Sequence, residues 1–178
     1  MLTLSSLLSD VVDLTFTVRP IFAQQELGLS SAQYGYFEAC RGICQLASRF
    51  VSEFTIKRVG GRSYTLISHL VCASYHGILA AASRPVHLLM SYPPMMLGGL
   101  GVRSSALVAM HQREGAVQGL GVGETAAGLR LLSSLLSIVW TPLYGWIYGR
   151  SPSALWVVAG GFAIASSGVF ALTPLAVA

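Results

Sequence analysis

The chain has 178 residues, 53 % of them hydrophobic and only 10 % charged, with a mean hydropathy of +0.64 and a formal charge of +4. A soluble domain usually carries about 25 % charged residues to keep its surface solvated, so this composition excludes an ordinary water-facing domain and points to lipid. The positive balance is no nucleic-acid footprint, because the arginines are scattered and several fall inside apolar runs.

A bilayer core about 30 Å thick needs roughly 20 mainly apolar residues per helix. Six candidate spans follow along the chain, in three hairpins, as one all-α polytopic bundle over 1–178. The first, 2–24, is the most polar and holds Asp10, Asp13, Arg19 and Pro20. Its opening carries two aspartates and no basic segment, which argues against a cleaved signal peptide. The second, 31–52, begins after "GLSS", where Ser30 or Ser31 can cap a helix. The third covers 64–82 and the fourth 86–110, which contains Pro93, Pro94, Gly98 and Gly99. The fifth covers 125–149 and the sixth 154–176. Between them, "ELGLSS", "RVGGRS", "SRPV", "HQREG" and "GRSPS" carry turn chemistry.

Loop charges set the expected orientation. Arg49, Lys57, Arg58, Arg62 and Arg113 flank the second–third and fourth–fifth connections, whereas Arg84 and Arg150 mark the opposite side, with Arg19 near it. The positive-inside rule then places loops 53–63 and 111–124 in the cytoplasm, and both termini with them.

Polar residues inside the spans are the candidates for function. Ser6, Asp10, Asp13 and Thr17 are spaced for one helical face. A carboxylate at mid-bilayer costs about 3 kcal/mol, so these aspartates belong to a cavity holding a proton or cation, or else to a polar leader at the interface. Glu38, Arg41 and Gln45 form a second stripe, in which Glu38 and Arg41 can neutralise each other within a turn. They line a contact with a partner bundle or serve as a structural pair. Arg103 in the fourth span is placed either for an anionic group in a cavity or to snorkel to the surface. Glu124 and Arg130 read as interfacial, and "GVGETA" matches a dinucleotide pattern with no strand before it.

Other features have structural explanations. His69, His76 and His87 have no acidic or thiolate partners at metal spacing, and Cys40, Cys44 and Cys72 read as small hydrophobes in apolar runs. Gly145 and Gly149 make a GxxxG suited to close helix packing, and Trp140, Trp146, Trp156 and Tyr148 suit an interfacial belt. No nucleophile elbow, zinc-protease helix or Walker loop is present, so neither an enzyme nor a cofactor is expected, and solute movement would draw on a gradient.

Three segments carry a family resemblance. "KRVGGRS" is similar to the second copy of the cytoplasmic signature of the major facilitator superfamily, with Arg58, Gly60 and Arg62 on matching positions. Glu53 stands where that signature opens with glycine, and Lys57 where it has an acidic residue. "MMLGGLGVRSSALVAM" with "REGAVQG" resembles helix ten and its exit loop, Arg103 replacing a frequent proline. "LLSSLLSIVWTPLYGWIY" resembles helix eleven through Ser137, Pro142, Gly145 and Tyr148. Segment 115–124 reads as an insertion. From about 28 to 170 the chain thus resembles the C-terminal half of these transporters, nearest the tetracycline-efflux-like proton antiporters.

That resemblance implies helices seven to twelve of an alternating-access carrier, and proton-coupled efflux of a small solute. It implies Asp10, Asp13 and Arg103 at the cavity, and Glu38, Arg41 and Gln45 toward the other half. The expected partners are the bilayer, a small-molecule solute, protons, and a missing N-terminal half or a second copy. The alternative expectation is a non-transporting or truncated integral membrane protein with a structural or regulatory role.

Overall fold

The structure, a computed structural model, describes residues 1–98 and 100–174, and the side chains of 98–106 are not among its described features. In chain order the helices are α1 (Leu2–Asp13), α2 (Arg19–Gln25), α3 (Ser31–Val59), α4 (Gly61–Ala80), α5 (Pro85–Met90), α6 (Tyr92–Gly98), α7 (Leu100–Val117), α8 (Val122–Arg150) and α9 (Pro152–Ala171). The fold is all-α, with no strand among the described residues.

Local chemistry sets several boundaries. Ser30 caps α3: its hydroxyl accepts from the Gln33 N–H at 3.2 Å while the Gln33 side chain accepts from the Ser30 N–H at 2.9 Å, a reciprocal box. Gly60 ends α3 with φ +82°, a backbone region that costs glycine nothing, and α4 starts on the next residue. The expected loop 53–63 is therefore mostly helix. In the same way α7 runs to Val117 and α8 starts at Val122, so most of the insertion-like segment 115–124 is helical.

The first span is not one helix. It breaks into α1, a 3-10 turn over Leu14–Thr17, and α2. Pro20 has no N–H to give the carbonyl four residues back, so regular bonding cannot pass through it. Thr15 and Thr17 donate their hydroxyls at 2.7 Å to the carbonyls of Val12 and Leu14, satisfying backbone that the break exposes. The fourth span is likewise divided, into α5, α6 and α7. Ser91 folds its hydroxyl onto the Leu88 carbonyl at 2.7 Å, just ahead of Pro93 and Pro94.

Leu2, Leu107 and Phe170 share one cluster at one end, while Phe22, Leu79, Leu88 and Trp156 share another at the opposite end. Helix α4 packs most extensively on α9, and α1 lies against α9 as well. Small residues make this close approach possible: Ala159, Gly160, Ala163 and Ser166 are all buried on α9. Ser5 and Ser166 clasp α1 to α9, each hydroxyl donating to the other's carbonyl, at 3.1 and 2.8 Å. Arg62, just inside α4, donates to the carbonyls of Ala171 and Thr173 at 3.0 and 3.1 Å and so closes the far end of α9.

Helices α3 and α8 lie outermost, with large apolar side chains exposed: Tyr36, Ile43, Leu46 and Phe50 on α3, and Leu135, Ile138, Val139 and Trp146 on α8. Among the described residues two helices, α8 and α9, are long and apolar enough to cross a membrane. Helix α3 is long enough but carries Glu38, Arg41, Arg49, Glu53, Lys57 and Arg58, and the first and fourth passes are broken into shorter pieces.

Two packing expectations are corrected. Gly145 and Gly149 are exposed with open space around them, so the GxxxG meets no neighbour among the described residues; Gly160 is the glycine at a helix contact. Trp156 is no interfacial anchor but fully buried, edge-on to Phe22 at 5.1 Å between centroids.

Candidate functional site

The break in the first pass delivers Arg19 into the protein, where it is 1 % exposed. Its Nη1 lies 3.2 Å from Glu38 Oε1 on α3. The other carboxylate oxygen of Glu38 accepts from Arg41 Nε at 2.6 Å. Two guanidinium groups thus share one carboxylate, leaving one uncompensated positive charge among the three.

Aromatic rings enclose the group. The Arg19 guanidinium sits over the Tyr92 ring at 5.3 Å from its centroid, and that of Arg41 over Phe16 at 5.8 Å. The Tyr92 hydroxyl donates to the Phe37 carbonyl at 3.0 Å, with its oxygen within reach of Arg19. Tyr34 lies against Glu38, and Tyr75, fully buried, lies within electrostatic reach of Arg19. Five elements therefore contribute: the 3-10 turn, α2, α3, α4 and α6, with the Phe16–Tyr75 contact tying the turn to α4 at 6.3 Å.

The donors here exceed the acceptors. Nε, Nη1 and Nη2 of Arg19 and the hydroxyl of Tyr75 are all buried and complete no hydrogen bond among the described residues. Glu38 Oε1, though 3.2 Å from Arg19, is not aligned to accept from it. A buried cation with its donors unused is costly, and such groups concentrate where a ligand is bound.

The structure brings Glu38 and Arg41 together as their spacing suggests. Gln45 is exposed further along α3. Asp10 and Asp13 are partly buried on α1, beside the face made by Leu2, Ser5, Ser9 and Val12 that packs inward. The side chain of Arg103 lies outside the described residues. Arg19, Tyr75 and Tyr92 escape a reading by periodicity, since they come from three separate elements. The usable signal was an arginine followed by proline inside an apolar run.

The loop motif is structural in its contacts. Arg58 covers the Phe54 ring at 4.2 Å, Gly60 makes the turn, and Arg62 closes α9. Lys57 donates to Glu53 at 2.7 Å, and this hydrogen bond holds the Glu53 carboxyl below its ordinary pKa. His69 and His76 are buried on α4, with Nδ1 of each donating to the carbonyl of Thr65 and Cys72, at 2.7 and 2.8 Å. His87 accepts at Nδ1 from the N–H groups of Ser83 and Arg84, capping α5. Among the described residues no three His, Cys, Asp or Glu side chains gather to hold a metal ion.

Comparison with protein-family models, curated proteins and solved structures finds no match to this chain.

Proposed function

We propose that the chain is a multi-pass membrane protein that carries a small solute by gradient-driven alternating access, as one half of a two-bundle transporter. The low charge content, the two apolar helices α8 and α9, and the exposed apolar faces of α3 and α8 support residence in lipid. The observation that carries the functional reading is the Arg19–Glu38–Arg41 cluster beside a discontinuous helix. Charged groups inside a membrane bundle are expensive and mark solute or ion paths, and broken helices recur at transporter binding sites. The opposite cavity wall would come from a second copy or from another six-helix bundle. The motif resemblance to the major facilitator superfamily supports the same assignment, with Asp10, Asp13 and Arg103 as further cavity groups and loops 53–63 and 111–124 cytoplasmic.

A specific observation favours a second reading, a non-transporting membrane protein with a structural role. Glu38 is already shared by two arginines, and such a group can serve only to hold the break in place. The deciding experiment uses purified chain in liposomes under an imposed pH gradient, with ethidium and mandelate as separate probes. Gradient-dependent flux of either probe above protein-free vesicles supports transport. Absence of both, in a chain that resists alkaline extraction from the membrane, supports the structural reading. Release by alkaline extraction overturns membrane residence itself.

A further inference from the structure

Resting on the transport reading, the chemistry around Arg19 also narrows the ligand. We infer that the cluster binds a small solute bearing a carboxylate with an adjacent hydrogen-bond donor, held by Arg19 and Tyr75 and framed by the rings of Phe16 and Tyr92.

The inference follows from unmet bonding capacity. Arg19 is 1 % exposed, and all three of its nitrogens, with the Tyr75 hydroxyl, are buried donors that complete no aligned hydrogen bond among the described residues, although Glu38 Oε1 lies 3.2 Å from Nη1. The carboxylate paired with Arg19 is that of Glu38, whose second oxygen is held by Arg41 at 2.6 Å. A carboxylate supplies the missing negative charge and two acceptor oxygens, which a guanidinium fork matches in geometry. Glu38 Oε1 is a buried acceptor that completes no aligned hydrogen bond among the described residues, beside the side chain of Tyr34. It would repel a bare anion, but it complements a hydroxyl or ammonium group next to the ligand's carboxylate. The aromatic faces suit an apolar body on the same molecule.

Three probes separate the parts: mandelate has carboxylate, hydroxyl and ring, phenylacetate lacks the hydroxyl, and mandelamide lacks the charge. Their binding to the full chain in detergent or nanodiscs is measured by calorimetry. Mandelate should bind roughly a hundredfold more tightly than mandelamide and roughly tenfold more tightly than phenylacetate, the usual scale of charge-assisted and neutral hydrogen bonds. Arg19→Gln should erase the preference for mandelate over mandelamide. Tyr75→Phe removes a single donor without changing volume and should weaken mandelate about tenfold while leaving the helical circular dichroism unchanged. The inference falls if none of the three probes binds, if mandelamide binds as well as mandelate, or if Tyr75→Phe folds and binds unchanged. Ethidium flux that persists without carboxylate binding sinks this inference and leaves transport standing. Mandelate binding with no flux of any probe does the reverse.

Discussion

Arg19 Nη1 and Glu38 Oε1 meet at 3.2 Å across the connection between α2 and α3, but only one of the two side chains is shut away from solvent. The arginine is 1 % exposed and the glutamate 24 %. Removing one or the other should therefore have unequal effects. Glu38→Gln leaves a fully buried guanidinium with no carboxylate and should cost about 3 kcal/mol, the scale for breaking a buried pair. Arg19→Met leaves Glu38 still bonded to Arg41 and fills the space with an apolar chain, so it should cost less. Thermal unfolding of the two variants in one detergent checks the order. Equal losses would mean that the charges contribute nothing beyond their volume.

What a sequence displays is local, and the contrast between Arg41 and Arg19 makes this plain. The Glu38–Arg41 pair lies within one helical turn, and the cap at Ser30 sits three residues from its partner Gln33, so both were legible from spacing. Arg19 reaches the same carboxylate only because Pro20 breaks the first pass and a loop returns the chain, which no periodicity encodes. The span windows also smoothed over both broken passes, since hydropathy averages residues and ignores missing N–H groups. The GxxxG at Gly145 failed for a related reason: small residues permit a close approach, but only the position of a neighbour decides whether one occurs.

The Ser5–Ser166 clasp predicts non-additive behaviour. Each hydroxyl donates to the other residue's carbonyl, and the two oxygens lie 3.0 Å apart, so the four groups form one unit. Ser5→Ala or Ser166→Ala should each cost about 1 kcal/mol, the upper part of the range for hydrogen bonds between membrane helices. The double variant should cost clearly less than the sum, because each single change already removes part of the shared network. A double-mutant cycle on unfolding free energy measures this directly, and strict additivity would show the two serines to be independent.

Gly160 offers a graded test of the α4–α9 contact. A Cβ built there would meet His76 Cβ at 3.5 Å and the Ala73 carbonyl at 3.6 Å, which is ordinary contact. Gly160→Ala should accordingly be neutral or stabilising by up to about 1 kcal/mol, from helix propensity. Gly160→Leu needs room that α4 does not leave and should cost about 1–3 kcal/mol. The same unfolding assay reads both, and a tolerated leucine would contradict the closeness of the two helices.

The exposed Glu53–Lys57 pair gives a pH prediction whose sign is fixed by its direction. Lys57 holds the Glu53 carboxyl below its ordinary pKa, so the pair's support for α3 is fully present above that ordinary value. It is lost as pH falls through the lowered folded value. Amide exchange in the last turns of α3, taken relative to its intrinsic rate at each pH, should therefore rise on acidification at low salt. The rise should shrink at high salt, where screening has already weakened the pair. Glu53→Gln should remove the dependence; a variant with the parent's pH response would place the titrating group elsewhere.

Arg62 works at the same end of the bundle by a different means, and the two can be told apart. Its Nη2 donates to the carbonyls of Ala171 and Thr173, more than a hundred residues away in the chain, where α9 has run out of its own N–H donors. Arg62→Ala should loosen the end of α9, seen as faster amide exchange around Leu172 and Thr173, whose N–H groups close the helix onto Gly168 and Phe170. Protection in the middle of α9, fixed by Gly160 and Ala163 against α4, should be unchanged. Lys57→Ala, four residues beyond Glu53 on the exposed end of α3, should leave α9 untouched. If both substitutions loosened α9 alike, the effect would be one of basic charge at that end. If only Arg62→Ala did so, the second arginine of "KRVGGR" is a tie between α4 and the end of α9.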